Sequence, residues 1–509
     1  MSNAAIYFVD RHVAEGRGDK LAFREAVTGR SLSYGALATQ SDQVAGALAA
    51  IGMRREERLA LLVLDQIEFP VLFWGALKAG VVPVPLNTLL ATPVYAAILK
   101  DSRARALVVS DALWDVVAPA LDTLPHIETV IVIGDAPDGA QPYDAFIAQG
   151  TPVTAPFDAS DDDAAFWLYS SGSTGAPKGV VHVHGALRAT ADTYGAQVLG
   201  VRAEDVVFSA AKFFFAYGLG NSMTFPMSVG ATSVIYGGRP TPDVMVDTLA
   251  AERPTIFCGV PTLYAAMVAH LDAHGVPEDV PLRLCISAGE ALPEDVGLRW
   301  RAHFGVDILD GVGSTEMLHI FLSNAPGDVV YGTSGIPVPG YDMRLVDDDG
   351  ADVPLGEIGE LVVNGASAAA CYWNKRDKSR ATFEGVWTHT GDKYEQRDDG
   401  RYIYCGRTDD MFKVSGIWVS PFEVEQAIVS HPAVLECAVV AAQDDDGLDK
   451  PKAFVVLQGK KPDGFDAALK AHVQDRVGKW KYPRWIDCVD TLPKTATGKI
   501  QRFKLREVT

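Results

Sequence analysis

The sequence predicts an α/β protein with a large amino-terminal domain of layered sheets and a smaller α+β domain after it. Up to about residue 400, short apolar runs alternate with helical stretches, which is typical of mostly parallel sheets covered by helices. The clearest runs lie at 106–110, 129–134, 232–237, 255–260 and 282–289. From about Glu357 the strands GELVVNG and RYIYCGR follow each other closely, which predicts a small antiparallel or barrel-like section. A chain of 509 residues is also too long for one ordinary core.

The last hundred residues read as a compact unit that begins near Asp409. Ser420, Pro421 and Glu423 form the pattern of a capping box, which predicts the start of a helix. Strands are expected at 434–442 and 453–457 and a helix at 466–477, followed by a polar loop. We therefore predict domains 1–408 and 409–509.

Composition excludes several classes of protein. The net charge of −20 argues against broad contact with nucleic acid or an anionic membrane. The longest apolar stretch, Phe69 to Leu77, ends at Lys78, well short of the roughly 20 residues of a spanning helix. Charges at Asp10 and Arg11 interrupt any secretory signal, so a cytoplasmic protein is expected. The six cysteines are scattered without metal-ligand spacing, and buried thiols are expected.

A loop rich in glycine and hydroxyl residues carries the strongest chemical signal. It comprises Ser170, Ser171, Gly172, Ser173, Thr174, Gly175, Ala176, Pro177, Lys178 and Gly179. Strand-like residues flank it on both sides, so backbone N–H groups, hydroxyls and the Lys178 amine could surround phosphate oxygens. It is not a Walker A loop, because Pro177 stands where the second glycine should be. A flexible linker is the alternative, and the tight strand flanks disfavour it.

This loop resembles the signature of the acyl-adenylating superfamily, which includes acyl- and aryl-CoA ligases, peptide-synthetase adenylation domains and beetle luciferases. Five further segments resemble the superfamily's motifs in the expected order: Ser287–Glu290, Asp310–Glu316, Thr390–Asp392, Gly406–Asp410 and Pro493–Lys499. One such motif alone would carry little weight. Six in order over residues 170 to 499 are specific, and they identify the chain as a member of this superfamily.

The resemblance implies a role for each motif. It predicts ATP and Mg²⁺ as cofactors, with Glu316 as the metal ligand, Thr315 at the AMP phosphate and Lys499 as the catalytic lysine. Further nucleotide contacts are implied for Gly289, Glu290, Asp310, Asp392 and Arg407. Asp392 would accept the ribose hydroxyls.

The implied chemistry has two half-reactions. A carboxylate first attacks the α-phosphorus of ATP, and the cations offset the developing negative charge. A thiol then displaces AMP after the last domain rotates about Asp409, which turns the strand Lys413 to Trp418, with Ser415 and Gly416, toward a thiol tunnel. Because the chain ends at Thr509 without a carrier domain, free coenzyme A is the expected acceptor. A hydrolase is disfavoured, since GxSxG is absent.

The acid is expected to be aromatic, because the segment Lys212 to Gly220 and the residues after Glu316 closely resemble benzoate-CoA ligases. The predicted acid-site residues are Phe213, Ala216, Tyr217, Gly218, Gly311, His319 and Ile336. They would form a short flat slot, and His319 or Tyr217 could serve a polar ring substituent. Phe214 and Phe215 are assigned to the core. Benzoate is favoured, with hydroxy-, amino- and other substituted benzoates and furan-type acids left open.

Other interpretations are weaker. His182 and His184 would face one side of a strand, but a metal site would need a third ligand. Rival functions are an acyl-AMP-forming enzyme that uses oxygen or a carrier protein, and a nucleotide sensor without catalysis. The latter is disfavoured because Glu316, Asp392 and Lys499 are all present. A lysine acetyltransferase acting on Lys499 and a homodimer are further hypotheses.

Overall fold

The computed structural model describes residues 3–171, 177–414, 417–444, 447–478, 480–494 and 500–507. The chain divides into two compact units. The first comprises Met1–Met343 with Val363–Thr388, and the second Arg344–Val362 with His389–Thr509. The second unit thus takes in strands that precede residue 409, and the predicted boundary at 408/409 stays a prediction.

The strands of the described residues are numbered in chain order. Strands β1 to β14 are Leu21–Glu25, Ser31–Ser33, Arg58–Leu62, Val82–Pro85, Ala106–Ser110, Thr129–Ile133, Gln141–Pro142, Ala164–Ser171, Pro177–Val183, Val206–Ser209, Thr232–Ile235, Ile256–Gly259, Leu284–Ala288 and Ile308–Gly313. Strands β15 to β27 are Ile320–Ser323, Ile336–Pro337, Tyr341–Val346, Ile358–Gly365, Cys371–Tyr372, Phe383–Glu384, Trp387–Gln396, Tyr402–Arg407, Phe412–Val414, Ile417–Val419, Val434–Gln443, Asp449–Leu457 and Trp485–Cys488.

The helices lie between these strands. Helices α1 to α16 are Arg11–Ala14, Tyr34–Ala50, Glu68–Ala79, Thr92–Ser102, Trp114–Leu121, Tyr143–Ala148, His184–Thr190, Ala216–Leu219, Phe225–Val229, Pro242–Glu252, Pro261–His274, Glu294–Phe304, Arg376–Thr382, Pro421–Val429, Phe465–Val477 and Arg502–Arg506. Short 3₁₀ or π segments are Ile6–Asp10, Asp111–Leu113, Ala191–Val198 and Gly220–Thr224. None of the helices in these described stretches has the length and apolar character that a bilayer-spanning segment requires.

Two large sheets organise the first unit. One has nine strands in the order β16-β15-β14-β13-β12-β10-β11-β1-β2, and its strands β10 to β14 and β1 run parallel. The other has five strands in the order β4-β3-β5-β6-β7, all parallel. Parallel sheets need both faces covered, and the apolar clusters around Phe257 and Trp300 and around Leu107 and Trp167 supply that cover. The predicted α/β class is confirmed.

A third sheet of the first unit, β19-β9-β8, is antiparallel. Five strands, β17-β18-β21-β20 with β22 also paired to β21, form the predicted barrel-like section. Strand β21 is antiparallel to both β20 and β22. Each strand within 106–289 and 359–407 that the sequence predicts is present, with ends shifted by at most two residues.

The second unit also holds the sheet β25-β26-β27 and the hairpin β23-β24. Its first long helix, α14, begins as expected, because the Ser420 hydroxyl accepts a hydrogen bond from the Glu423 N–H at 3.0 Å. The Glu423 carboxylate binds Lys481. The segment 413–418, expected to be one strand, instead belongs to the two strands of a hairpin, with residues 415–416 outside the described part. The apolar pattern of this segment alone does not reveal that it contributes to two paired strands.

Candidate active site

The carboxyl ends of four parallel strands bring the predicted motifs to one edge of the nine-stranded sheet. Strands β10, β12, β13 and β14 are neighbours and run in the same direction. The segments that leave this edge are 210–218, 289–290 and 314–319. Ligands of open α/β sheets bind at the carboxyl ends of the strands. The edge therefore unites the residues predicted for acid, adenine and metal.

The predicted phosphate loop lies in sequence between β8 and β9, two antiparallel strands of the sheet β19-β9-β8. Ser170 pairs with Lys178 in this hairpin, so the two arms of the loop lie side by side. Gly172, Ser173, Thr174 and Gly175 lie outside the described residues, as do Ser415, Gly416 and Lys499 in the second unit. The Ser170 hydroxyl is buried and has no hydrogen-bond partner among the described residues. The pairing fixes the described residues on both sides of the predicted phosphate loop, whose role stays a prediction.

Lys178, Glu316 and Tyr372 form one polar cluster. The Lys178 Nζ lies 3.1 Å from the Glu316 Oε1 and donates to the Tyr372 hydroxyl at 2.9 Å. The same hydroxyl donates to the Glu316 Oε1 at 2.8 Å. The sequence analysis predicted Lys178 and Glu316 but missed Tyr372, whose segment CYWN carries no local signal for a role here. The three residues are brought together by strand pairing and not by sequence spacing.

The electrostatics of this cluster keep Glu316 ionised. Burial alone would raise the pKa of Glu316, but the ammonium of Lys178 and the hydrogen bond from Tyr372 outweigh it and hold the pKa below its ordinary value. The preceding turn is fixed locally, because the Ser314 hydroxyl accepts from the Met317 N–H and the Thr315 carbonyl accepts from the Leu318 N–H. A deprotonated carboxylate on a fixed turn suits the predicted metal ligand. Thr315 is half-buried beside it.

Asp310 stands apart from Glu316 in charge. Its carboxylate accepts a hydrogen bond from the Leu292 N–H at 3.2 Å, and its Oδ1 has no partner among the described residues. Burial raises the pKa of Asp310 to about 8, so this carboxyl is mostly neutral at pH 7.

The predicted adenine loop includes Gly289 and Glu290. Gly289 has a left-handed φ of +99°, and Glu290 beside it is exposed. Their predicted adenine contact stays a prediction.

Asp392 and Arg407 meet in the second unit, as a shared nucleotide role would require. They are paired across strands β21 and β22, and the Arg407 Nη1 lies 3.1 Å from the Asp392 Oδ1. Arg407 also donates to the Thr390 carbonyl at 2.9 Å, across Gly391, whose φ of +69° makes the turn. The pair places Asp392, the predicted ribose acceptor, beside Arg407, the other predicted nucleotide contact.

Asp409, the predicted hinge, lies in an exposed turn. The turn is closed by a hydrogen bond from the Asp410 N–H to the Arg407 carbonyl at 3.0 Å. The Asp410 carboxylate binds Arg502 and Arg506, and Arg506 also donates to the Asp409 carbonyl at 2.9 Å. Arg502 further binds Glu425 on α14 at 2.7 Å. The downstream side of the turn is therefore tied to helices α14 and α16.

The predicted acid slot is only partly as expected. Tyr217 is half-buried, and its hydroxyl donates toward the carbonyls of Gly259 and Ile286, each at 3.1 Å. Its one proton is thus used within the protein, so this hydroxyl would meet a ring substituent only as an acceptor. Phe213 is fully buried and stacks on Phe69 with ring centroids 4.6 Å apart. The structure places Phe213 in the core, where its ring packs on Phe23 and Phe69.

The remaining slot residues lie near the same edge. The expected placement in the core holds for Phe214, whereas Phe215 and Ala216 are half-buried and Ile336 is exposed. Gly218 has no room for a side chain, since a Cβ there would lie 2.1 Å from the Lys212 carbonyl oxygen. A Cβ on Gly311 would lie 3.0 Å from the Ile320 side chain. Glycine at these two positions allows the chain to pack closely on itself, and the flat slot stays a prediction.

His319 is a neutral imidazole in an aromatic surround. Burial lowers its pKa to about 3, its Nε2 lies 3.3 Å from the Tyr217 carbonyl, and its Nδ1 has no partner among the described residues. The rings of Tyr194, Tyr217 and Phe225 lie within 4.5 to 5.7 Å of it, centroid to centroid. The orphaned nitrogen makes His319 a candidate polar group for a ring substituent.

Gly220 tests the position of His319. A Cβ at Gly220 would lie 2.3 Å from the His319 Cδ2, so Gly220→Ala should displace the imidazole. We expect the free energy of unfolding to fall by about 1–3 kcal/mol and kcat/KM for the acid to fall with it. Chemical denaturation and steady-state kinetics measure both.

Gly459→Ala is the matched control for this substitution, because nothing lies within 4 Å of a Cβ there. It should leave both quantities unchanged. An equally stable Gly220→Ala variant with unchanged kcat/KM would contradict the assigned position of His319.

The two histidines of the HVH segment do not form a metal site. His182 lies on β9 and stacks on Phe166, whereas His184 begins helix α7, and its Nδ1 accepts from the Ala4 N–H. The expectation that both lie on one strand is wrong, since the strand ends between them. Within the described ranges, no three His, Cys, Asp or Glu side chains are grouped to hold a metal ion.

The family can now be assigned. Residues 10–373 match the AMP-binding enzyme family, and residues 423–499 match the AMP-binding enzyme C-terminal domain. The chain belongs to the AMP-binding enzyme family. The resemblance predicted from the sequence is confirmed.

Similar proteins cover the chain almost completely. A 4-hydroxybenzoate-CoA/benzoate-CoA ligase of Rhodopseudomonas palustris is 55% identical over 512 residues, 100% of this chain and 94% of that protein. A benzoate-CoA ligase of Thauera aromatica is 53% identical, covering 99% of this chain and 95% of that protein.

Solved structures agree with the fold. A benzoate CoA ligase from Burkholderia xenovorans LB400 superposes with a TM-score of 0.90 at 49% identity, covering 99% of this chain and 100% of that one. The anthranilate CoA ligase AuaEII, solved with anthranoyl-AMP, superposes with a TM-score of 0.93 at 41% identity, covering 100% of this chain and 97% of that one.

Proposed function

We propose that this AMP-binding enzyme is an ATP-dependent benzoate-CoA ligase of the acid-thiol, AMP-forming type. It would convert benzoate, ATP and CoA into benzoyl-CoA, AMP and pyrophosphate through benzoyl-AMP. The observation that carries the proposal is the sheet edge where the ionised Glu316 lies three residues from the neutral His319, whose Nε2 meets the Tyr217 carbonyl. The names of the two relatives above 50% identity support the same substrate class.

Magnesium fits the residues at this edge. Mg²⁺ is usually held by one or two carboxylates together with substrate phosphates and water. Glu316 supplies one carboxylate that is ionised, and the structure holds Lys178 next to it. When bound, the ion would offset charge at the phosphates. The chain's own part is to keep Glu316 deprotonated and oriented.

The roles of the residues follow from their chemistry. Lys178 and Lys499 would neutralise the phosphate and carboxylate charges that meet during adenylation. Asp392 and Arg407 would bind the ribose side of the nucleotide. The slot would exclude a long acyl chain and align the carboxylate of a planar acid with the α-phosphorus. A cytoplasmic location, a homodimer and acetylation of Lys499 are proposed with this function.

A hydroxybenzoate is the second candidate substrate, because the unpartnered Nδ1 of His319 could bind a ring hydroxyl. The relative from Rhodopseudomonas palustris carries both acids in its name. The side of the ring that meets His319 would decide which isomer is accepted. Benzoate leaves that nitrogen without a partner, which costs free energy only if water is excluded from it.

A panel of acids tests the proposal. Benzoate, 2-, 3- and 4-hydroxybenzoate, 2-aminobenzoate, 2-furoate and hexanoate would be assayed for AMP release with ATP, Mg²⁺ and CoA. We expect benzoate or a ring-substituted benzoate to exceed hexanoate in kcat/KM by at least about tenfold, since a flat slot bounded by backbone does not fit a flexible chain.

Omission of CoA is the control for the second half-reaction, because an enzyme that needs a carrier protein or oxygen would release no more AMP when CoA is added. Highest kcat/KM for hexanoate, or AMP release that ignores CoA, would contradict the proposed function. His319→Ala should change the ratio of hydroxybenzoate to benzoate turnover if the Nδ1 selects the substituent.

A further inference from the structure

The Tyr372 hydroxyl joins the two charged groups of the candidate site. It accepts a hydrogen bond from the Lys178 ammonium at 2.9 Å and donates one to the Glu316 carboxylate at 2.8 Å. A hydroxyl has one proton and two lone pairs, so both bonds can exist together. The Lys178 Nζ also lies 4.2 Å from the centre of the Tyr372 ring. Hydrogen bonds to charged groups are the strong ones in proteins.

The sheet fixes where this hydroxyl lies. Strand β19 places Tyr372 opposite Val180 on β9, two residues from Lys178, so both side chains leave the same face of the sheet. The ring is buried and packs on Val180, Ala369 and Phe383. The backbone of Glu316 is tied to the same segment, because its carbonyl accepts from the Ala369 N–H at 2.8 Å.

The ion pair of Lys178 and Glu316 creates a conflict that Tyr372 can resolve. Both groups are needed elsewhere during adenylation, Lys178 at a phosphate oxygen and Glu316 at the metal, yet each is the other's partner at 3.1 Å. The pair must therefore open. If the Tyr372 hydroxyl keeps donating to Glu316 while Lys178 leaves, the carboxylate keeps its direction. Without that hydroxyl, the Glu316 Oε1 would lose one of the two hydrogen bonds that it accepts from Lys178 and Tyr372.

We propose that Tyr372 is a positioning residue for adenylation. Its hydroxyl holds the Glu316 carboxylate in place when Lys178 leaves that carboxylate and binds the nucleotide. The proposal rests on the proposed function for the adenylation step. It concerns the use of ATP and Mg²⁺, whichever acid is activated. It assigns no part to Tyr372 in the later transfer to a thiol.

Tyr372→Phe tests this assignment, because it removes the hydroxyl and keeps the ring that packs on Phe383. ATP binding would be measured by calorimetry with Mg²⁺ and with EDTA, in the absence of any acid. The gain in ATP affinity that Mg²⁺ gives the wild type should shrink by about tenfold in the variant, with affinity in EDTA unchanged. Single-turnover formation of benzoyl-AMP should fall by roughly 10- to 100-fold, the factor for one lost hydrogen bond to a charged group.

Thioester formation from supplied benzoyl-AMP and CoA should stay at the wild-type rate. Tyr34→Phe is the matched control, since its buried hydroxyl donates to the Ala231 carbonyl at 2.7 Å, away from the site. Tyr34→Phe should lower the melting temperature and leave unchanged the gain in ATP affinity that Mg²⁺ gives. Tyr372→His is expected to show the same losses as Tyr372→Phe, because the histidine ring does not carry a hydroxyl to the same point.

Two results would overturn the proposal. One is a Tyr372→Phe variant with the wild-type Mg²⁺ gain and adenylation rate. The other is an equal loss in both half-reactions, which would indicate a general effect on the fold. The calorimetry contains no acid, so a wild type that rejects benzoate would refute the proposed function and leave the Tyr372 result intact.

Discussion

Replacement of Lys499 by alanine is expected to abolish adenylation and spare the thiol step. The Lys499 charge is useful where the α-phosphate and the carboxylate meet, and it has no partner once AMP and acid are joined. Loss of one such group from a transition state typically lowers the rate by roughly 10²–10³-fold. Single-turnover formation of benzoyl-AMP from ATP and benzoate should show at least this loss, whereas supplied benzoyl-AMP and CoA should still give benzoyl-CoA.

Lys494→Ala is the matched control for Lys499→Ala. Lys494 lies at the base of the same loop, where an isolated bridge joins it to Ile500, and its amine binds the Glu436 carboxylate. Its exposed ion pair should matter little to either half-reaction. A Lys499→Ala variant that forms benzoyl-AMP at the wild-type rate would refute the assignment of Lys499.

Proline at Asp409 is expected to have the opposite effect. Proline fixes φ near −65°, so a hinge that turns at this residue would be blocked. Asp409 is also the third residue of the turn closed between Arg407 and Asp410, a position where proline restricts the residue before it. A misfit of about 3 kcal/mol corresponds to roughly 100-fold in rate, and we expect a loss of that order in thioester formation from benzoyl-AMP and CoA.

Asp409→Ala controls for the lost side chain, since alanine leaves φ free. It should retain both half-reactions. Circular dichroism and melting temperature would confirm that each variant is folded. If Lys499→Ala and Asp409→Pro lose both half-reactions equally while folded, the two-conformation mechanism does not apply to this enzyme.

Local patterns predicted the elements of this fold well. The runs at 106–110 and 129–134 are β-branched and bounded by turns, and they form β5 and β6. The cap at Ser420 was readable because a capping box is complete within four residues. The order of the nine strands was not readable, because paired residues of neighbours such as β1 and β11 are 210 positions apart, as Phe23 and Ser233 are.

Long-range pairing also explains what was missed in the site. Tyr372 meets Lys178 across 194 positions, through a two-residue strand that leaves almost no pattern. Phe213 lies buried against Phe69, and an aromatic residue in a pocket segment has the same sequence signature as one in the core. The two backbone carbonyls that accept from the Tyr217 hydroxyl are invisible in a sequence. The motif residues were easier to predict from the sequence, since their chemistry depends on residue type and spacing.

The ties between Asp410, Glu425, Arg502 and Arg506 have a practical consequence for handling the protein. Glu425 is buried, and Arg502 is the cation that compensates it. Shortening the chain before residue 502 would leave that carboxylate without its cation, and loss of one partner of a buried pair costs about 3–5 kcal/mol. Deletion series and fusion junctions should therefore begin after Glu507, because Arg502 and Arg506 of α16 bind the turn at Asp409 and Asp410, where the hinge is predicted.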